Sequence, residues 1–163
     1  LCFSRTSASP GHSSFALMAF VDKDVCQRVV VVIGSGVRAR SIGMFEQLHA
    51  MGLQVVLVDD RDTWAAQMLA SGLIRQLVEV PGVSARAQDA SLADAVVEAL
   101  SAAGAPPADA VYNAFNKYLL LSSLVAERLG VTTNPYDAVR RCVFKHETRK
   151  CLVAAGLEDW LSF

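Results

Sequence analysis

Val29-Val30-Val31-Val32-Ile33-Gly34-Ser35-Gly36-Val37-Arg38-Ala39 runs from five β-branched residues straight into a pair of glycines. An unbroken run of this kind reads as a strand covered on both faces, because a half-exposed strand alternates apolar and polar residues. Gly34 permits a tight turn, Gly36 permits close backbone approach, and Ala39 completes the spacing G-x-G-x-x-A. That is the dinucleotide-binding fingerprint in its alanine form, with the positive end of a following helix aimed at an anion.

Outward from this stretch the pattern alternates between strand and helix. Arg28–Ile33 reads as the first strand and Arg38–Met51 as a helix, with Ile42, Phe45, Leu48 and Met51 at helical spacing and Gly52 as its stop. Gln54–Val58 reads as a second strand ending in Asp59-Asp60, Thr63–Ala70 as a short helix, and Gln76–Val80 as a third strand. Ser91–Ala103 is an amphipathic helix with Ser91 in the N-cap position, and Ala110–Asn113 a fourth strand. Lys117–Leu129 reads as a helix stopped by Gly130, Val131–Thr133 as a short fifth strand, and Tyr136 to about Ala155 as one more helix. Strands separated by helices give right-handed βαβ units and a parallel sheet, so the fold class is α/β with a Rossmann-like sheet followed by a helical segment. Ligands of such sheets bind beyond the strand C-terminal ends, which gathers Gly34–Arg40, Asp59–Arg61 and Asn113–Lys117 on one edge.

The glycine loop by itself leaves three readings: a nicotinamide dinucleotide cradle, a loop facing another ligand, and a turn required by sterics alone. Asp59 lies 25 residues after Gly34, where a ribose-binding acid would stand. Two features weigh against the dinucleotide. The next glycine is Gly43, and after four or five strands the chain turns helical instead of building a second mononucleotide half.

Composition narrows the classes. The 163 residues are 53% hydrophobic and 19% charged with a net charge of −1, enough apolar matter for a core and no electrostatic footprint for nucleic acid or an anionic membrane. Trp64 and Trp160 lack basic neighbours arranged for base stacking. No apolar run reaches the roughly 18 residues of a transmembrane helix. None of the four cysteines forms a C-x-x-C pair, which points to a reducing, cytoplasmic setting. Residues 1–21 stand apart: five serines, Arg5 and no acidic residue. They fit the tail of an organelle transit peptide, and equally a disordered leader over 1–27 or a translated upstream region. The first residue is Leu, which reads as a start inside a longer reading frame.

The C-terminal stretch Leu119–Gly156, LLLSSLVAERLGVTTNPYDAVRRCVFKHETRKCLVAAG, narrows the choice further. Ala126, Leu129, Gly130, Asn134, Ala138, Lys145, Arg149, Leu152, Ala155 and Gly156 fall in order on a pattern that resembles the beginning of the ATP-grasp domain in ATP-grasp superfamily ligases. Among these the chain looks most like amino-acid and peptide ligases of the carnosine-synthase type. The resemblance covers roughly residues 28–157 and implies a pre-ATP-grasp Rossmann-like domain over 28–134 and the helical start of an ATP-grasp domain over 135–163.

It also implies roles. Lys145 would contact an ATP phosphate, a task suited to a compact ammonium charge; its plainer reading is a solvated helix lysine in a basic stretch. Arg149 would serve packing or an ion pair. The loops bearing Gly34, Ser35, Gly36, Asp60, Asn113 and Asn116 would face an amino-acid substrate, with turn or N-cap roles equally open for the asparagines. The reaction implied is phosphoryl transfer from ATP to a carboxylate, with Mg²⁺, giving an acylphosphate that an amine attacks. Phe144 stands where the pattern has Asp, and no Pro follows Gly156, where Leu157-Glu158-Asp159 stands instead. The second lysine, the phosphate-covering loop and the metal carboxylates of the family do not occur before Phe163. This chain alone is therefore expected to carry no catalytic residue or metal site, to bind ATP and Mg²⁺ only weakly and to be inactive. A homo-oligomer stays open, and neither nucleic acid nor membrane is expected as a partner. The alternative is an NAD(P)-binding domain of an oxidoreductase. Cys142, His146 and Cys151 invite a zinc reading, but three ligands at that spacing match no standard site and small apolar cysteines are the plainer account. His12 and His49 read as incidental.

Overall fold

The computed structural model describes residues 27–61 and 64–157. The expected leader lies outside the described residues except for Gln27, as do Thr63 and Trp160. Four strands, β1 (Val29–Ile33), β2 (Gln54–Asp59), β3 (Gln76–Glu79) and β4 (Ala110–Tyr112), form one parallel sheet in the order β3-β2-β1-β4. Between and after them come α1 (Arg38–Ala50), α2 (Ala65–Ala70), α3 (Leu92–Ala102), α4 (Leu119–Arg128), α5 (Tyr136–Val143) and α6 (Lys145–Ala154).

The β1 run behaves as its composition demands: all five residues are buried. Alternate side chains enter opposite layers, as the pleat requires. Val29, Val31 and Ile33 join Val56 and Val58 against Leu92, Val96 and Leu100 of α3 and Leu121 and Val125 of α4. Val30 and Val32 join Val55 and Leu57 against Phe45 of α1 and Ala65 and Met68 of α2. Helices on both faces let a sheet of continuous valines exist in water.

Register then sets the functional edge. Ile33 pairs with Val58, Val32 with Tyr112, and Asp59 with Glu79, so the chain leaves all four strands on the same side of the sheet. The path steps from β1 to β2 to β3 in one direction, then crosses back to place β4 on the far side of β1. The gap between the loops after β1 and β4 is the topological switch point, the usual ligand crevice of an open α/β sheet.

Two expectations fail locally. Val131–Thr133 forms no strand; Thr132 and Thr133 are exposed, so there is no apolar face to bury on the sheet. The single helix expected over Tyr136–Ala155 is two helices, broken at Phe144, whose backbone is extended (φ −93°, ψ 108°). The Thr148 hydroxyl donates to the carbonyls of Arg141 and Phe144. The Arg141 carbonyl, which a continuing helix would have bonded to the Lys145 N–H, thereby keeps a donor across the break.

Candidate functional site

The strand-end edge is built around the glycine pair. Gly34 and Gly36 take φ of +76° and +64°, the left-handed region that glycine enters without penalty. The Gly34 N–H donates to the Val58 carbonyl at 2.8 Å, tying the loop to the end of β2. A side chain at Gly34 would collide with the ring of Tyr118, and one at Gly36 with the ring of Phe115. Both aromatics come from the segment after β4, where a 3-10 turn over Asn116–Tyr118 leads into α4. The two glycines thus make room for the protein's own rings. In a dinucleotide cradle the second glycine leaves its space to a pyrophosphate; at Gly36 a phenyl ring occupies it.

Ser35, between the glycines, is buried and turned inward. Its N–H donates to Asp59 Oδ2 at 3.1 Å, and its hydroxyl donates to the same oxygen. The other carboxylate oxygen accepts from the Asp60 N–H at 2.9 Å. Asp59 is 1% exposed and fully engaged in holding the loop, so it has no free edge for a ribose. On the opposite side, Trp64 Nε1 donates to the Gly36 carbonyl at 2.9 Å. The Trp64 indole is set by an edge-on contact with buried Phe45, ring centroids 5.8 Å apart.

Asp60 organises the next loop. Its carboxylate accepts from the N–H of Gly82 at 2.5 Å and of Ser84 at 2.8 Å. Partial burial pushes its pKa up, but hydrogen bonds from Ser84, Gly82 and Val83 outweigh that and hold it below the usual 3.8. Ser84 in turn pairs its hydroxyl with that of Tyr118 at 2.9 Å. The loops after all four strands are therefore cross-linked: Tyr118 lies on Gly34, Asp59 holds Ser35, Asp60 holds Gly82 and Ser84, and Ser84 returns to Tyr118.

Of the residues expected to face a substrate, Gly34, Ser35, Gly36, Asp60, Asn113 and Asn116 all come to this edge. Gly34 and Ser35 lie beneath its surface, Gly36, Asp60 and Asn113 are half-buried, and Asn116 is exposed. Lys145 stands apart: it is exposed at the first position of α6, and among the described residues no hydrogen bond or ion pair ties it to the loops. Sequence reasoning passed over Phe115, Tyr118, Ser84 and the locking role of Asp59. The available signal was two aromatics in the segment after β4, facing a loop that must contain glycine. Cys142 and Cys151 are exposed free thiols, and among the described residues no group of three or more His, Cys, Asp or Glu gathers to hold a metal ion. No helix among the described residues is long and apolar enough to cross a membrane.

No family model matches the sequence, and no curated protein matches it. Solved structures do match. One is an L-amino acid ligase from Bacillus licheniformis, 20% identical, with a TM-score of 0.60 over 80% of this chain and 30% of that one. Another is a phosphoribosylglycinamide synthetase from Anaerococcus prevotii, 12% identical, with a TM-score of 0.58 over 78% of this chain and 29% of that one. Both are ATP-grasp enzymes. At these identities the likeness shows the fold alone, an α/β parallel Rossmann-like sheet. The chain spans less than a third of the length of either structure.

Proposed function

We propose that this chain is the N-terminal part of an ATP-dependent ligase that joins a carboxylate to an amine, acting on an amino acid or peptide through an acylphosphate. The observation that carries the reading is a conjunction. A pre-ATP-grasp sheet with a self-locked glycine loop is followed by the ordered series from Ala126 to Gly156, in a chain whose fold resembles an L-amino acid ligase. The plugged glycine loop supports it from the other side, since a dinucleotide would need the space that Phe115 fills.

In this reading the strand-end edge shapes one wall of an amino-acid site. The nucleotide touches the chain only through Lys145, whose ammonium stands exposed at the helix start. Mg²⁺ and ATP supply phosphoryl transfer in the whole enzyme, and positioning is what these residues contribute. Residues 28–134 and 135–163 act as the two domain pieces, and the 163-residue chain by itself joins no amino acids.

Calorimetric titration of the chain with NAD⁺, NADP⁺ and ATP·Mg²⁺ tests this, alongside amino-acid-dependent ADP release by the natural polypeptide that carries the sequence. Expected are no nicotinamide binding and ADP release that requires an amino acid. Micromolar binding of NAD⁺ or NADP⁺ would replace the ligase with a dinucleotide-binding protein.

A further inference from the structure

Phe115 and Tyr118 are seated on the glycine loop, and open space lies on the Lys117 side of Tyr118. A cavity of about 480 Å³ lies there between residues 84–89 and Lys117. That volume is in the range of small-molecule sites. Its charges are almost all spoken for. Arg86 donates through Nε and Nη2 to Asp89 Oδ2 at 3.1 and 2.7 Å. Asp89 Oδ1 accepts from the N–H and hydroxyl of Ser91 at 2.9 and 2.7 Å. Arg86 and Asp89 therefore cancel. Asp60 accepts from the backbone N–H groups of Gly82 and Ser84 and from the Ser84 side chain.

Lys117 is different. Its Nζ rests 4.5 Å from the centre of the Tyr118 ring. Among the described residues no carboxylate pairs with it. The cavity thus keeps one uncompensated positive charge, placed where the positive end of α4 adds to it. The Tyr118 ring beneath Nζ is fixed by Gly34 and by Ser84, so the charge sits on a rigid support.

We infer that this cavity is a binding site for the carboxylate group of a small molecule, with Lys117 as the charge partner and the Ser84 hydroxyl and Gln88 amide as neutral polar neighbours. A single ammonium matches a monoanion. A phosphate dianion would call for a second free cation or a free arginine fork, and Arg86 is occupied. The inference stands on the cavity and its charge, and would survive the loss of the ligase reading.

The test is titration of the ¹⁵N-labelled full chain with acetate, with inorganic phosphate and with sodium chloride at matched ionic strength. Acetate is expected to move the amides of 84–89 and 117 saturably, and chloride to leave them in place. Lys117→Gln is expected to weaken the acetate response roughly tenfold or more, as loss of a charge-assisted contact entails, while Lys117→Arg keeps most of it. Lys117 is exposed, so neither change disturbs the fold; should one do so, the wild-type titrations still decide. Equal responses to acetate and chloride would overturn the site. So would an unchanged response in Lys117→Gln, and saturation by phosphate but not acetate would overturn the carboxylate assignment.

Discussion

The sheet with its glycine loop and the α5–α6 hairpin are held together by different physics. In the first region every β1 side chain is buried, and the buried carboxylate Asp59 accepts from three donors. In the second, α5 buries only Val139 and α6 buries nothing. The hairpin is held by the Tyr136 N–H donating to the Glu127 carboxylate at 2.7 Å and by Glu147 among Arg140, His146 and Lys150 at 3.7, 3.1 and 3.4 Å. Partly exposed ion pairs of this kind contribute little, because solvent screens them. The region that fixes the shape thus says least about chemistry. The residues that carry the ligase resemblance lie largely where packing is thinnest.

The sharpest contrast is between glycines. Gly34 and Gly156 both have positive φ, +76° and +69°. Alanine at either adds the left-handed penalty, roughly 1–2 kcal/mol. At Gly34 it also drives a methyl into the buried ring of Tyr118, adding roughly 1–3 kcal/mol of overpacking, whereas among the described residues nothing lies within 4 Å of a Cβ placed at Gly156. Urea unfolding should show Gly34→Ala far less stable than Gly156→Ala, with Gly36→Ala close to the former. Equal midpoints would mean that the aromatic plug is not held in solution.

Next in size is Asp59→Ala. It strands the buried N–H and hydroxyl of Ser35, at roughly 1–3 kcal/mol for an unsatisfied buried donor. The Ser35 and Asp60 amides should lose protection from exchange together with the fall in stability. If their exchange stays as in the wild type, Asp59 does not lock the loop.

These residues also show how far the sequence could be read. The strands were legible because valine runs bounded by glycine and proline admit few alternatives, and β1, β2 and β3 fall within a residue of expectation. Asp59 was legible in place but not in role. Its distance from Gly34 suits a ribose acid, yet its hydrogen bonds go to Ser35, a choice set by the three-dimensional path of the turn. Phe115 and Tyr118 were invisible because the gap they fill is created by glycines some 80 residues earlier in the chain. The break at Phe144 escaped notice because neither glycine nor proline marks it; a threonine hydroxyl four residues later makes it tolerable. For Lys145 only an ordered series of residue types spoke, and the fold leaves it on a helix apart.

Acid should sharpen the picture further. Asp60 is held below 3.8 in the folded protein, so its contribution to stability is complete above 3.8 and is lost as pH falls from there through the folded value. Asp89, lowered to about 2 by hydrogen bonds from Ser91 and Arg86, follows the same sign over the same descent. Urea midpoints should drop as pH goes below 3.8. Asp60→Asn should give a shallower drop, because the amide takes up no proton in this range and so removes one titrating group from the slope. An unchanged slope would detach Asp60 from the 82–84 loop.

The smallest global effect should come from the hairpin. Val139 is 8% exposed and Val32 is fully buried, so the same change to alanine removes the same two methyl groups from different surroundings. In the sheet, Val32→Ala lowers the stability of the whole body by roughly 1.5 kcal/mol or more, at about 0.8 kcal/mol per buried carbon plus the cavity left behind. In the hairpin, Val139→Ala weakens only the seating of α5 on α4, so the amides of α5 and α6 should exchange roughly tenfold faster at about 1.4 kcal/mol. The urea midpoint, set by the sheet, should hardly move. A midpoint shift for Val139→Ala as large as that for Val32→Ala would show that the hairpin and the sheet unfold as one cooperative unit. The helices bearing Lys145 would then be as firmly placed as the glycine loop.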